Sequence, residues 1–121
     1  MIKGIGNDII EVARLQAAIK RQGQRFLDEV FTSVEQDYCL KHTQSERHFA
    51  GRFAAKEAIL KAFGTGLRQG ISWLDIEITN DERGKPCVKL SEKLEAKFHS
   101  PQLMISISHC KEYATAFAVF L

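Results

Sequence analysis

The sequence predicts an α+β fold, with helices mainly in the N-terminal half packed on a mostly antiparallel sheet. Two observations predict it. Apolar residues recur at helical spacing between Val12 and Phe63, and from Leu74 onward they alternate in short runs separated by turn residues. A third bounds it: 121 residues is a one-domain length, and no linker, repeat or low-complexity stretch divides 1–121.

Ile2 to Ile10 reads as the first strand. Gly4 and Gly6 within it mark a place where something comes close to the backbone. A helix follows from about Val12 to Gln22, with Val12, Leu15, Ala18 and Ile19 on one face and Gly23 as its stop. Phe26, Leu27, Val30 and Phe31 make a short helical piece. Thr32 and Glu35 form a capping-box start for the next helix, through Tyr38 and Leu40. The longest helical signal runs from Ser45 to Phe63, with Phe49, Phe53, Leu60 and Phe63 as its core stripe and Gly64 at the stop position. Beyond a loop ending at Gly70, Leu74 to Thr79 alternates, with Leu74, Ile76 and Ile78 on one side. Asn80 to Pro86 is a turn cluster, and Val88 to Leu90 returns. Ser91 caps a short helix through Phe98. Leu103 to Ser108 alternates strictly, and Tyr113 to Leu121 is apolar enough to be central in its sheet.

Hydrophobic residues make up 45% and charged residues 26%, an ordinary soluble balance. A net charge of +2 is too mild to argue for nucleic acid. Three cysteines, with no C-x-x-C pair, speak against a disulfide framework or zinc knuckle and for reduced thiols in the cytoplasm. Met1 to Glu11 has no signal-peptide pattern, and no run approaches the roughly 18 apolar residues of a membrane span.

Five constellations carry chemistry. Asp8 ends the first strand between apolar neighbours. It either caps the following helix or needs a cation or donors. Glu57 lies on the long helix in line with Ala50, Ala54 and Lys61. Glu57 and Lys61 are either an i,i+4 surface pair or, with Asp8, a magnesium-binding carboxylate pair beside a phosphate-binding lysine. Gly64-Thr65-Gly66 is a helix stop and turn, or a backbone that admits a ligand. It is not a P-loop, because its glycines follow the helix. Ser106 and Ser108 share one strand face with His109 at the strand end, a polar edge that either faces water or holds a phosphate. The last is basic: Arg14, Arg21 and Arg25 recur near helical spacing with Lys20, and no acid stands between Ala13 and Leu27, a face suited to an acidic protein. His42 and His48 stand in polar surroundings and read as surface residues.

Together these residues resemble a family. Gly4-Ile5-Gly6-Asn7-Asp8-Ile9 with Arg14, then Arg52-Phe53-Ala54-Ala55-Lys56-Glu57-Ala58 through Lys61 and Gly64-Thr65-Gly66, and finally Gly70-Ile71-Ser72-Trp73, the Asn80–Pro86 turn and Ser106-Ile107-Ser108-His109 are similar to the bacterial holo-[acyl-carrier-protein] synthases, the small trimeric class of 4′-phosphopantetheinyl transferases. The resemblance runs through essentially the whole chain in order. It implies that fold, and transfer of phosphopantetheine from coenzyme A to a serine of an apo acyl carrier protein, in service of fatty acid biosynthesis. It implies Asp8 and Glu57 as Mg2+ ligands and Lys61 as the group that steadies the leaving phosphate. Gly64, Thr65, Gly66, Pro86, Ser106, Ser108 and His109 would hold the nucleotide end, with Arg52, Lys56 and His109 as candidates for its 3′-phosphate. Arg14, and more loosely Arg21 and Arg25, would dock the carrier. The family's homotrimers carry active sites at subunit interfaces. The base is left between a metal-bound water oriented by Asp8 and Glu57 itself. A magnesium-dependent nucleotide hydrolase and a non-catalytic trimeric binding module stay open as rivals. The first would release phosphate without a carrier, and the second would need no carboxylates.

Overall fold

The computed structural model describes residues 1–121. Its elements run β1 (Gly4–Glu11), α1 (Val12–Gln22), α2 (Gln24–Val30), α3 (Ser33–Leu40), α4 (Ser45–Phe63), a 3-10 turn (Trp73–Asp75), β2 (Ile76–Asn80), β3 (Pro86–Leu90), α5 (Glu92–Lys97), β4 (Leu103–His109) and β5 (Tyr113–Phe120). Local chemistry sets several of these limits. The Thr32 hydroxyl accepts from the Glu35 N–H at 3.3 Å, and the Glu35 carboxylate accepts from the Thr32 N–H at 2.9 Å, closing the expected capping box on α3. Ser91 caps α5 by accepting from the Leu94 N–H. Gly64 ends α4 at φ 80°, a left-handed turn that disfavours a Cβ.

β1, β5 and β4 form an antiparallel sheet in that order, so the apolar last strand is central as expected. β2 and β3 form a separate hairpin. α4 lies against the inner face of the three-stranded sheet, where Ala114, Ala116 and Ala118 leave room for it. A Cβ on Gly6 would strike the carbonyl oxygen of Ala58, and one on Gly4 that of Ala62. The close approach that these glycines announce is therefore made by a helix, not a ligand.

Two expectations change. Of the expected core stripe, Phe49 and Leu60 are buried as predicted, but the phenylalanines do not form the inner face of α4. Ala50, Ala54, Ala55, Ala58 and Ala62 are buried there with Ile59 and Leu60, because the glycine strand comes too near for larger side chains. Phe53 and Phe63 are half-buried flankers, Phe53 tilted against Trp73 and Phe63 stacked on Phe98. Leu74 does not join the strand face of Ile76 and Ile78. It sits in the 3-10 turn and is exposed.

The second half of the core gathers α1, α2 and α3 around Phe31 and Phe49. An ion pair with no exposed surface ties this layer together. Lys56 Nζ donates to Glu35 Oε1 at 2.7 Å, to the Val30 carbonyl at 2.8 Å and to the Trp73 carbonyl at 3.1 Å. Glu35 Oε2 accepts from the Ile78 N–H at 2.7 Å. One carboxylate thus joins α3, α4 and β2.

Candidate active site

The alternation of β1 decides where Asp8 goes. Gly4, Gly6 and Asp8 share the face toward α4, while Ile5, Asn7 and Ile9 face out. Asp8 does not cap α1; its N-cap is Glu11, with no side-chain cap. Instead the Asp8 carboxylate accepts from Lys61 Nζ at 3.1 Å, and the same ammonium donates to the Asn7 carbonyl at 2.9 Å. Lys61 therefore pairs across to the strand and not along its helix to Glu57.

Glu57 reaches the same cleft. Asp8, Glu57 and Phe53 line a hollow of about 660 Å³ together with Arg14 and Arg21 from α1 and Phe26 from α2. Burial first, and then the neighbouring Asp8 charge, hold the Glu57 carboxyl above its usual range, against a smaller opposing pull from Lys61. A carboxylate whose ionisation is opposed by a second one beside it, in a partly desolvated cleft, makes a place for a cation. No group of three His, Cys, Asp or Glu side chains gathers in the chain, so a metal here would draw two ligands from this subunit. That donor set fits magnesium, which takes one or two carboxylates and completes its octahedron with phosphates and water.

Arg25 lies on α2, exposed and outside this cleft, so only Arg14 and Arg21 of the basic series line it. Gly64, Thr65 and Gly66 follow Lys61 at the end of α4 and line neither the cleft nor the pocket described next. Their positive φ angles at Gly64 and Gly66 show a helix stop and turn.

A second pocket, about 210 Å³, lies between α4 and the β3 end of the hairpin. Arg52, Pro86 and His109 meet there, together with Tyr38, Asn80 and His48. His48 was not expected to matter, since a histidine among polar residues carries no periodic signal. Lys56 belongs to neither site. All three N–H donors of its buried ammonium are spent on Glu35, Val30 and Trp73, so the structure corrects its assignment to a phosphate. Ser106 and Ser108 stand apart from His109 within one chain. They lie on the open face of the sheet beside Phe117, while His109 is drawn to the helix side against His48. A period of two separates them from His109.

Residues 4–118 match the 4′-phosphopantetheinyl transferase superfamily. The chain belongs to that superfamily. Among relatives of this transferase chain is the holo-[acyl-carrier-protein] synthase of Protochlamydia amoebophila, 63% identical over 99% of this chain and 98% of its own. The holo-[acyl-carrier-protein] synthase of Helicobacter pylori, solved in complex with coenzyme A, is 35% identical with a TM-score of 0.88, covering 97% of this chain and 99% of that one. The Neisseria meningitidis synthase gives a TM-score of 0.91 at 33% identity, over 100% of this chain and 99% of that one. The α+β fold expected from the sequence is thus the fold of these transferases, and the resemblance read from Gly4–Ile9 and Arg52–Gly66 is borne out.

Proposed function

We propose that this transferase moves the 4′-phosphopantetheine arm of coenzyme A onto a serine hydroxyl of apo acyl carrier protein, as a single cytoplasmic domain spanning 1–121 and serving fatty acid biosynthesis. The observation that carries the reading is the cleft itself, where Asp8 and Glu57 line the same hollow as Arg14 and Arg21. An acidic carrier would be held by the arginines with its serine presented to the carboxylates. The names of the relatives support the same reaction, and the neighbour solved with coenzyme A supports the substrate.

Asp8 and Glu57 would hold Mg2+, which would supply charge neutralisation on the pyrophosphate of coenzyme A when bound. The serine oxygen attacks the β-phosphorus, the bridging P–O bond breaks, and adenosine 3′,5′-bisphosphate leaves. The serine proton needs an acceptor, either a water oriented by Asp8 or the Glu57 carboxylate itself. Lys61, half-exposed beside Asp8, would steady the leaving phosphate as a point charge. Arg52, Pro86 and His109 would receive the nucleotide end.

We place the trimer on the outer face of the sheet. Ile5, Ile9, Met104 and Phe117 stand there between 46% and 63% exposed, in adjoining rows of β1, β5 and β4. An apolar face of this kind on so small a chain is the signature of an interface. Ser106 and Ser108 lie on it, so in an assembly they would approach a neighbouring copy's site.

Mass spectrometry tests the reaction. An apo carrier incubated with the protein and coenzyme A should gain one phosphopantetheine in magnesium and none in EDTA. No gain on several active carriers would send the reading to the nucleotide hydrolase.

A further inference from the structure

The pocket around Arg52 has an electrostatic composition that its core position does not explain. Arg52 is 4% exposed, yet it takes part in none of the chain's three ion pairs. Its guanidinium lies 4.0 Å from the Tyr38 ring centre, donates one bond to Asn80 Oδ1 and leaves the buried Nε–H without a partner. A buried cation with no counter-ion and an orphaned donor is costly unless an anion completes it. The volume narrows the occupant. About 210 Å³ is below the usual 300–1,000 Å³ of a pocket that swallows a whole ligand, and it suits a terminal anionic group.

The groups around His48 point the same way. The His42 ring stacks on it with centroids 3.7 Å apart, from the turn between α3 and α4. His109 of β4 meets it edge-on at 5.1 Å, and Tyr38 of α3 at 5.8 Å. Arg47 and Arg52 add positive charge from α4, and Asn80 of β2 is neutral. No carboxylate lines this pocket.

We propose that in this pocket His48, backed by His42, takes up a proton as a phosphomonoester binds, so that Arg52 and a newly charged His48 grip the phosphate together. Resting on the reading above, the occupant is the 3′-phosphate of coenzyme A and of the bisphosphate product. In the empty pocket burial, and then the positive charge of His42, His109, Arg52 and Arg47, pull His48 from 6.5 down to about 4, so it is neutral at physiological pH. A dianion reverses the sign of that local field. The folded, empty protein resists the proton and the loaded one accepts it, so affinity must rise as pH falls.

Two measurements test this. The first follows the His48 ring protons by NMR between pH 8 and 5.5, with and without adenosine 3′,5′-bisphosphate. The second measures binding of that bisphosphate over the same range to the parent and to His48→Phe, with adenosine 5′-monophosphate as the probe lacking the 3′-group. Above about pH 7 a phosphomonoester keeps both charges, so the ligand's own titration is separable there and common to parent and variant below it. The expected result is a His48 midpoint raised by the bisphosphate and not by the monophosphate. Parent affinity should climb by up to about tenfold per unit fall in pH, the limit for one proton, with a flatter profile in His48→Phe. The inference is overturned if the bisphosphate binds while His48 keeps its unliganded titration, or if the monophosphate shifts it equally. Failure of the parent to bind coenzyme A or the bisphosphate at all would instead overturn the proposed function.

Discussion

At the scale of residues, the cleft is a conflict between stability and chemistry. Glu57 carries a carboxyl raised above its ordinary range, so the folded chain binds more protons there than the unfolded chain does. By linkage, that difference destabilises the fold as pH rises through the window between the ordinary and the raised value, and the cost persists at neutral pH. Glu57→Gln removes it. The variant should melt a few degrees higher than the parent at pH 7 in EDTA, while transfer falls roughly 10²–10⁴-fold, the usual contribution of a positioned acid or base. Calorimetry and the carrier assay read the two effects. A variant that melts lower and still transfers would remove Glu57 from the site. Asp8 and Glu57 were legible as candidates from type and setting, but each also had an ordinary explanation. The Lys61 contact at 3.1 Å removes the helix-surface explanation for Lys61, and the bare N-cap removes the capping explanation for Asp8.

Elements follow a simpler logic. α4 runs from Ser45 to Phe63 as its periodicity and stop glycine predict, and the capping chemistry of Thr32 and Ser91 places α3 and α5. What periodicity does not carry is depth. α4 is buried on most of its circumference, so even Lys56 is enclosed. Its partner Glu35 is the residue that fixes how α4 meets α3 and β2. Glu35→Ala should lower stability by roughly 3–5 kcal/mol, because it strands a buried ammonium. Replacing Glu35 and Lys56 together by apolar residues should cost much less than that, since the uncompensated charge is gone. Chemical denaturation of the parent and the two variants checks this. Equal losses in the single and the double would show that packing, not the ion pair, governs the junction.

For the whole molecule, the sheet is the element with two jobs. Its inner face is small so that α4 can press the Asp8 strand close, and its outer face is large, apolar and uncovered. Phe117 stands at the middle of that outer face, opposite Asn7 and Ser106 on the neighbouring strands. If the proposed trimer assembles through this face, Phe117→Asp should leave the helical signal intact, convert a particle of three 13.7 kDa chains to one, and reduce transfer with it. Light scattering and the carrier assay decide. An unchanged mass would move the interface elsewhere.

The sequence by itself determined the order of elements, the central place of the last strand, and the family, through Gly4–Asp8 and Phe53–Lys61. These are local properties, written in period, cap and spacing. Only the tertiary structure decided which charges face each other. Glu57 pairs its fate with Asp8 and not Lys61; Lys56 is spent inside; Ser106 and Ser108 part from His109; His48 joins Arg52. Each depends on residues brought together from distant positions by packing on α4, and a carboxylate, lysine or histidine takes its charge state from those neighbours rather than from its place in the chain.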